Sequence, residues 1–241
     1  LFSVPPSDSD SIYSKITLFM GSFLKWFQSL NVPKGVGVIL FFYASGIVAH
    51  SLPQLRVIAF SMTDLFLFGM NTYLLIDILN SNKGKTLFLW IIPVYLFTFS
   101  MEALGVATGK IFGSYHYGSN MHLKVLGVPL VIAFNWLVLA LAINSLSLRF
   151  FSNKWLLSIF SGVLIAAYDY FIEPVAINLD YWKWESNVVP IQNYLAWCVI
   201  GFLVSFPLHA FKLKFQSPLL LPYLFIQWIY FNALVLLDVK F

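Results

Sequence analysis

Four carboxylates, Asp64, Glu102, Asp169 and Glu173, sit inside hydrophobic stretches of this sequence. An acidic side chain at the centre of a bilayer costs about 2.5–3.5 kcal/mol even on insertion scales, so four of them call for a use. Asp169 and Glu173 stand four residues apart, on one face of any helix that carries them. Two carboxyls that close in a low dielectric do not readily both ionise, and one is expected to keep its proton near neutral pH. A carboxylic acid beside a carboxylate can give one proton and take another. The chemistry this suggests is acid–base work on an apolar substrate.

Positioning those acids requires membrane helices. Hydrophobic residues make up 60% of the 241-residue chain and charged residues 10%, against roughly 25% charged in a soluble domain. Such a chain cannot cover a globule with polar surface, so the expected fold is all-α, a polytopic transmembrane bundle forming one domain over 34–241. Seven spans are expected, at about 35–51, 57–79, 86–109, 125–148, 155–178, 190–211 and 218–238, each long enough for the hydrocarbon layer. Leu52-Pro53, Asn80-Ser-Asn-Lys-Gly84, the stretch from Gly113 to Asn120, and Lys212, Lys214 and Pro218 punctuate them. Ahead of the spans, residues 12–33 read as an amphipathic interfacial helix and linker. Ile12, Ile16, Phe19, Phe23, Phe27 and Leu30 form one stripe, with Lys15, Ser22, Lys25 and Ser29 opposite. Residues 1–11 read as a disordered polar tail, unlike a secretory signal. No internal repeat is visible, which argues against an inverted-repeat transporter.

With seven spans, Lys15, Lys25, Lys34, Lys83, Lys85, Arg149, Lys154, Lys212 and Lys214 collect on the N-terminal side. Arg56, Lys110, Lys124, Lys183 and Lys240 lie opposite. The positive-inside rule then puts the N-terminus in the cytoplasm, with the plasma (inner) membrane as the expected location. At 1.5 Å per residue, all four acids fall in the outer half at similar depth. The other acids, Asp8, Asp10, Asp77, Asp180, Glu185 and Asp238, fall in tails, loops or helix ends and read as solvated charge. Asn135 and Asn193 offer neutral hydrogen-bonding groups near the acids, and either could instead be interhelical glue. Gly105 and Gly109 share a helix face with Glu102 and permit close approach of a ligand or another helix. Phe112 to Gly118 and Tyr181 to Trp184 make aromatic outer loops, suited to the membrane interface or to holding a cation by cation–π attraction.

Other classes find little support. Cys198 is alone, so no internal disulfide or thiol metal cluster forms. His50, His116, His122 and His209 have no metal-binding spacing, and no phosphate loop or nucleophile elbow is present. The +4 formal charge reads as loop lysines rather than as a nucleic-acid surface. A retinal protein would need a lysine in the last span, and residues 218–238 have none. A proton-coupled transporter would need ionisable groups through the whole thickness, whereas the inner half offers Asp77 and His209.

One run of motifs is familiar. Glu102-Ala-Leu-Gly-Val-Ala-Thr-Gly-Lys-Ile-Phe-Gly-Ser-Tyr-His-Tyr-Gly118 is followed by Leu126-Gly-Val-Pro-Leu130, Asn135-Trp136 and Asp169-Tyr-Phe-Ile-Glu-Pro-Val-Ala176. Tyr181-Trp-Lys-Trp184 and Pro190-Ile-Gln-Asn-Tyr-Leu-Ala-Trp197 complete it. In this order the motifs resemble the membrane-bound carotenoid biosynthesis proteins that include carotenoid 1,2-hydratases. Glu173 stands where that pattern has aspartate, one methylene shorter, and Ala196 where glycine is usual. The resemblance implies cofactor-independent addition of water to the terminal double bond of an acyclic carotenoid, giving a tertiary alcohol. The implied partners are a lycopene-like polyene and membrane lipid, with room for association with other carotenoid enzymes and none for nucleic acid. On this reading the protonated member of Asp169 and Glu173 delivers the proton, with Asp169 preferred because it lies deeper. Glu102 orients or deprotonates water, and Asp64 supports the others or reloads the proton. Tyr115, Tyr117, Trp136 and Trp182 line the end-group cavity, while Asn135 and Asn193 hold water. A carotenoid end-group cyclase would use the same acids but exclude water. A non-catalytic carotenoid-binding protein would not need their protons at all.

Overall fold

The computed structural model describes residues 34–82 and 85–239; the expected tail and interfacial helix lie outside them. Among the described residues the chain is mainly helical. In chain order come α1 (Lys34–Ser51), α2 (Pro53–Ser61), α3 (Thr63–Asn82) and α4 (Phe88–Thr108), then α5 (Leu130–Ser147), α6 (Lys154–Asn178), α7 (Ile191–Ala210) and α8 (Leu220–Leu236). Four short strands, β1 (Tyr115–Tyr117), β2 (Lys124–Val125), β3 (Val128–Pro129) and β4 (Trp182–Trp184), lie in the connections.

Helices α4, α5, α6 and α7 are long and apolar enough to cross a membrane, and α2 with α3 would make a fifth span if the bent pair is one crossing. The apolar stretches Gly35–Ser51 and Leu220–Leu236 are shorter. Length and composition thus support four or five of the seven expected spans. Two expected boundaries move. The second span is not continuous but bends by 61° between α2 and α3. The fourth begins at Leu130 rather than 125, because β2 and β3 pair across Leu126 and Gly127, both at positive φ, the geometry of a tight hairpin turn.

Local sequence sets several helix ends. Pro53 opens α2, where its missing N–H costs nothing. Asn153 caps α6 by accepting from Trp155 N at 2.9 Å. The α4 helix closes on Gly109 in the left-handed conformation, its N–H donating to Gly105 O at 2.8 Å.

The α5 helix is the hub, packed against α3, α4, α6, α7 and α8, and most of its residues are buried. A helix apolar all round belongs in such a position. The closest pairing is α6 with α7, and Gly162 permits it: a Cβ there would lie 2.5 Å from Cys198 O. Near the far ends of these helices Asn144 donates to Ser205 Oγ (2.8 Å) and accepts from Ser161 Oγ (3.0 Å), with His209 Nε2 2.6 Å from its Oδ1. The cluster hydrogen-bonds α5, α6 and α7 together inside an otherwise apolar layer.

Candidate active site

A cavity of about 400 Å³ opens among all eight described helices, α1–α8, under the aromatic loops. Glu102, Asp169, Glu173 and Asn193 line it, with Asn135, Trp136, Tyr115, Tyr117 and Trp182. Three of the four expected acids are therefore brought together, each buried to 3% exposure or less.

The device that organises them is a small β ribbon. Strands β1 and β4 pair antiparallel with Tyr115 opposite Trp184 and Tyr117 opposite Trp182. Successive strand residues face opposite ways, so His116 and Lys183 are exposed while the aromatic residues turn inward. All four aromatic heads find a carboxylate. Tyr115 and Tyr117 donate to Glu102 Oε2 at 2.5 and 2.8 Å, and Trp136 Nε1 donates to Oε1 at 2.9 Å. Trp182 and Trp184 donate to Glu173 Oε2 at 2.9 and 3.0 Å. Burial, followed by the neighbouring Glu102 charge, holds both phenols above their ordinary range, so they remain donors.

Asn193 bridges the α6 pair, its Nδ2 lying 2.6 Å from Asp169 Oδ2 and 3.3 Å from Glu173 Oε1. It thus belongs to the acid cluster. The three acids differ in donor count: Glu102 and Glu173 each accept from three groups, whereas Asp169 accepts from Asn193. Asn135 lines the cavity and also accepts from Asn71 of α3 through a 2.5 Å contact, so it both ties helices and faces the site.

Asp64 stands apart. It does not line the cavity; its Oδ2 accepts His122 N at 2.6 Å and Leu123 N at 3.2 Å, fastening the loop after β1 to the first turn of α3. Gly105 serves a side chain rather than a ligand or a neighbouring helix: a Cβ there would meet the Phe112 ring at 2.5 Å. Trp184 and Trp197, present in the motifs but given no individual role there, also belong to the site. Trp197 stacks on Trp136 with ring centroids 3.9 Å apart and planes 20° from parallel, forming a broad aromatic wall.

Asp180, expected to be solvated, is buried instead. Its Oδ2 accepts from Ser119 N (2.8 Å) and Ser119 Oγ (2.7 Å), and Lys183 Nζ lies 2.6 Å from Oδ1. Burial pushes this carboxyl up, but Lys183 and Ser119 outweigh it and hold it below the usual range. A depressed folded value stabilises the fold above the unfolded value of about 3.9 and is lost as pH falls through the folded one. The melting-temperature advantage of the native protein over Asp180→Asn in detergent is therefore expected to be full near neutral pH and to shrink on acidification below about pH 4. An advantage that grows on acidification would contradict this account.

A helical membrane protein with carboxyls gathered at one end of an aromatic, largely apolar cavity is the class that fold and site define. The chain belongs to the carotenoid biosynthesis protein family, which it matches over residues 57–237. It is also similar to the bisanhydrobacterioruberin hydratase of Haloarcula japonica, 28% identical over 121 residues, or 46% of this chain and 41% of that protein. The matched region thus spans less than half the length of that relative. No solved structure matches the chain. The family and the hydratase relative together support a carotenoid-modifying role.

Proposed function

We propose that this protein hydrates the terminal 1,2 double bond of an acyclic carotenoid. The observation that carries the reading is the convergence of Glu102, Asp169 and Glu173 on one buried cavity walled by aromatic rings. Asp169, with one donor, is suited to hold a proton. Glu102 and Glu173, each with three donors, are suited to hold charge. Asp169 gives its proton to C2 of the end group, forming a C–H bond and leaving a tertiary cation at C1. The faces of Trp136 and Trp197 and the rings of the β ribbon steady that cation. A water held by Asn193 and Asn135 bonds through oxygen to C1 and loses a proton to Glu102. Return of that proton to Asp169 resets the site, and the net change is addition of one water. Asp64 keeps the outer loop in place over the site.

The two shorter apolar helices still fit this setting. Eighteen residues in α1 and seventeen in α8 at 1.5 Å rise give about 25–27 Å, enough for both to complete a seven-span bundle with α2–α3 as one crossing. The charge balance then orients the N-terminus to the cytoplasm. Expression in a lycopene-producing host tests the chemistry. Pigment heavier by one water per modified end is expected. Unchanged mass with altered absorption would instead mark a cyclase, and unmodified pigment a binding protein.

A further inference from the structure

We infer that the cavity is entered sideways from the lipid, through a mouth between α1 and the α2–α3 break. One carotenoid end then reaches the acids while the rest of the polyene stays outside, so each encounter presents one end to the chemistry. This rests on the carotenoid reading above. Its basis is where exposure falls along the cavity wall. The exposed lining residues are Phe42 and Ser45 of α1, Leu55 and Ile58 of α2, and Met62 at the break. Lining residues on α4–α8 and the outer loops are buried or half-buried. Ile58 is 58% exposed and Phe42 48%, so an apolar ligand meets an apolar lip.

The packing agrees. Among the described residues α1 rests mainly on α2 and α8, and α2 mainly on α1 and α3. The two helices form an arm beside the bundle rather than a layer within it. The 61° bend at Met62 splays α2 from the line of α3. The exposed lip is apolar apart from Ser45, whose hydroxyl is spent on Phe41 O at 2.6 Å, whereas the polar lining groups, the three carboxyls with His50, Asn193 and Gln227 among them, sit on the buried wall. A molecule with one reactive end and a long hydrocarbon tail fits that arrangement.

Volume sets how much enters. A cavity of about 150 Å³ holds one benzene, so 400 Å³ holds on the order of fifteen carbons. A long polyene must therefore leave most of its length beyond the lip. Its second end reaches the acids only after the first withdraws and the molecule reverses.

The test places a removable plug in the folded protein. Ser45→Cys and, separately, Met62→Cys are made in a Cys198→Ala background. Each is purified without pigment and then labelled with a bulky thiol reagent or with a methyl-sized one. Lycopene is added in phospholipid vesicles, and bound pigment and product mass are followed in time. Pigment uptake is expected to fall at least tenfold with the bulky label and little with the small one. Singly hydrated product should precede doubly hydrated product in the unlabelled protein. Native uptake with the bulky label at both positions, absence of uptake by unlabelled protein, or doubly hydrated product appearing without a singly hydrated intermediate would overturn the inference. Label-sensitive uptake of pigment whose mass never changes would uphold sideways entry and reject the hydration reading alone.

Discussion

Asp169→Asn is expected to lower hydration by about 10²–10⁴-fold, the usual contribution of a positioned proton donor, and to leave the fold and pigment binding in place. Asparagine keeps a carbonyl oxygen where Asn193 donates to Asp169 at 2.6 Å, so the local hydrogen bond survives. What is lost is the carboxyl proton. Asp169 has one donor around it, whereas Glu173, one turn along α6, has Trp182, Trp184 and Asn193. Surrounding donors favour a carboxylate over a carboxylic acid, so the two members of the pair are set up for different work. Turnover of acyclic carotenoid by purified variant and native protein measures the effect, with retained pigment as the control for folding. Full hydration by Asp169→Asn would remove Asp169 from the chemistry.

Glu102→Ala should be the most damaging single change to stability. It strands the hydroxyls of Tyr115 and Tyr117 and the indole N–H of Trp136, all of them buried. A buried donor left without a partner costs about 1–3 kcal/mol, so a loss of at least about 3 kcal/mol is expected, together with loosening of the β ribbon. Glu102→Gln separates the structural part from the chemical one. Its side-chain carbonyl restores an acceptor and should recover part of the stability, yet it takes no proton from water. Denaturation in mild detergent beside turnover checks both parts. Recovery of stability and activity together in Glu102→Gln would reduce Glu102 to a structural anchor.

Much of this site is legible in the sequence. Acids inside apolar helices are few, and their spacing and depth bring Glu102, Asp169 and Glu173 to one layer. Asp64 does not line the cavity with them, and the sequence does not announce the break beside it. No proline or glycine marks Met62, and the 61° bend coincides with a tertiary demand, the loop N–H groups of His122 and Leu123 seeking the Asp64 carboxylate. The ribbon is hidden for a related reason. Tyr-His-Tyr and Trp-Lys-Trp each alternate, but three residues are too few to tell a strand from an interfacial aromatic cluster, and their pairing joins distant segments. Trp184 reads equally well as a membrane-interface residue, and Trp197 as one more apolar residue of α7, until Glu173 and Trp136 are found beside them. Asp180 is buried through contacts with Ser119, far away in sequence. Phe42 and Ile58 are ordinary apolar residues in one dimension; only the cavity behind them turns them into a lip.

In the proposed reaction a buried carboxylic acid protonates a carotenoid end and water completes the addition. Incubating purified protein with lycopene in oxygen-18-labelled water, with dioxygen removed, tests it directly. The expected product carries one labelled tertiary hydroxyl per modified end and is absent with Asp169→Asn. A hydroxyl without label, or a product of unchanged mass, would contradict this proposal.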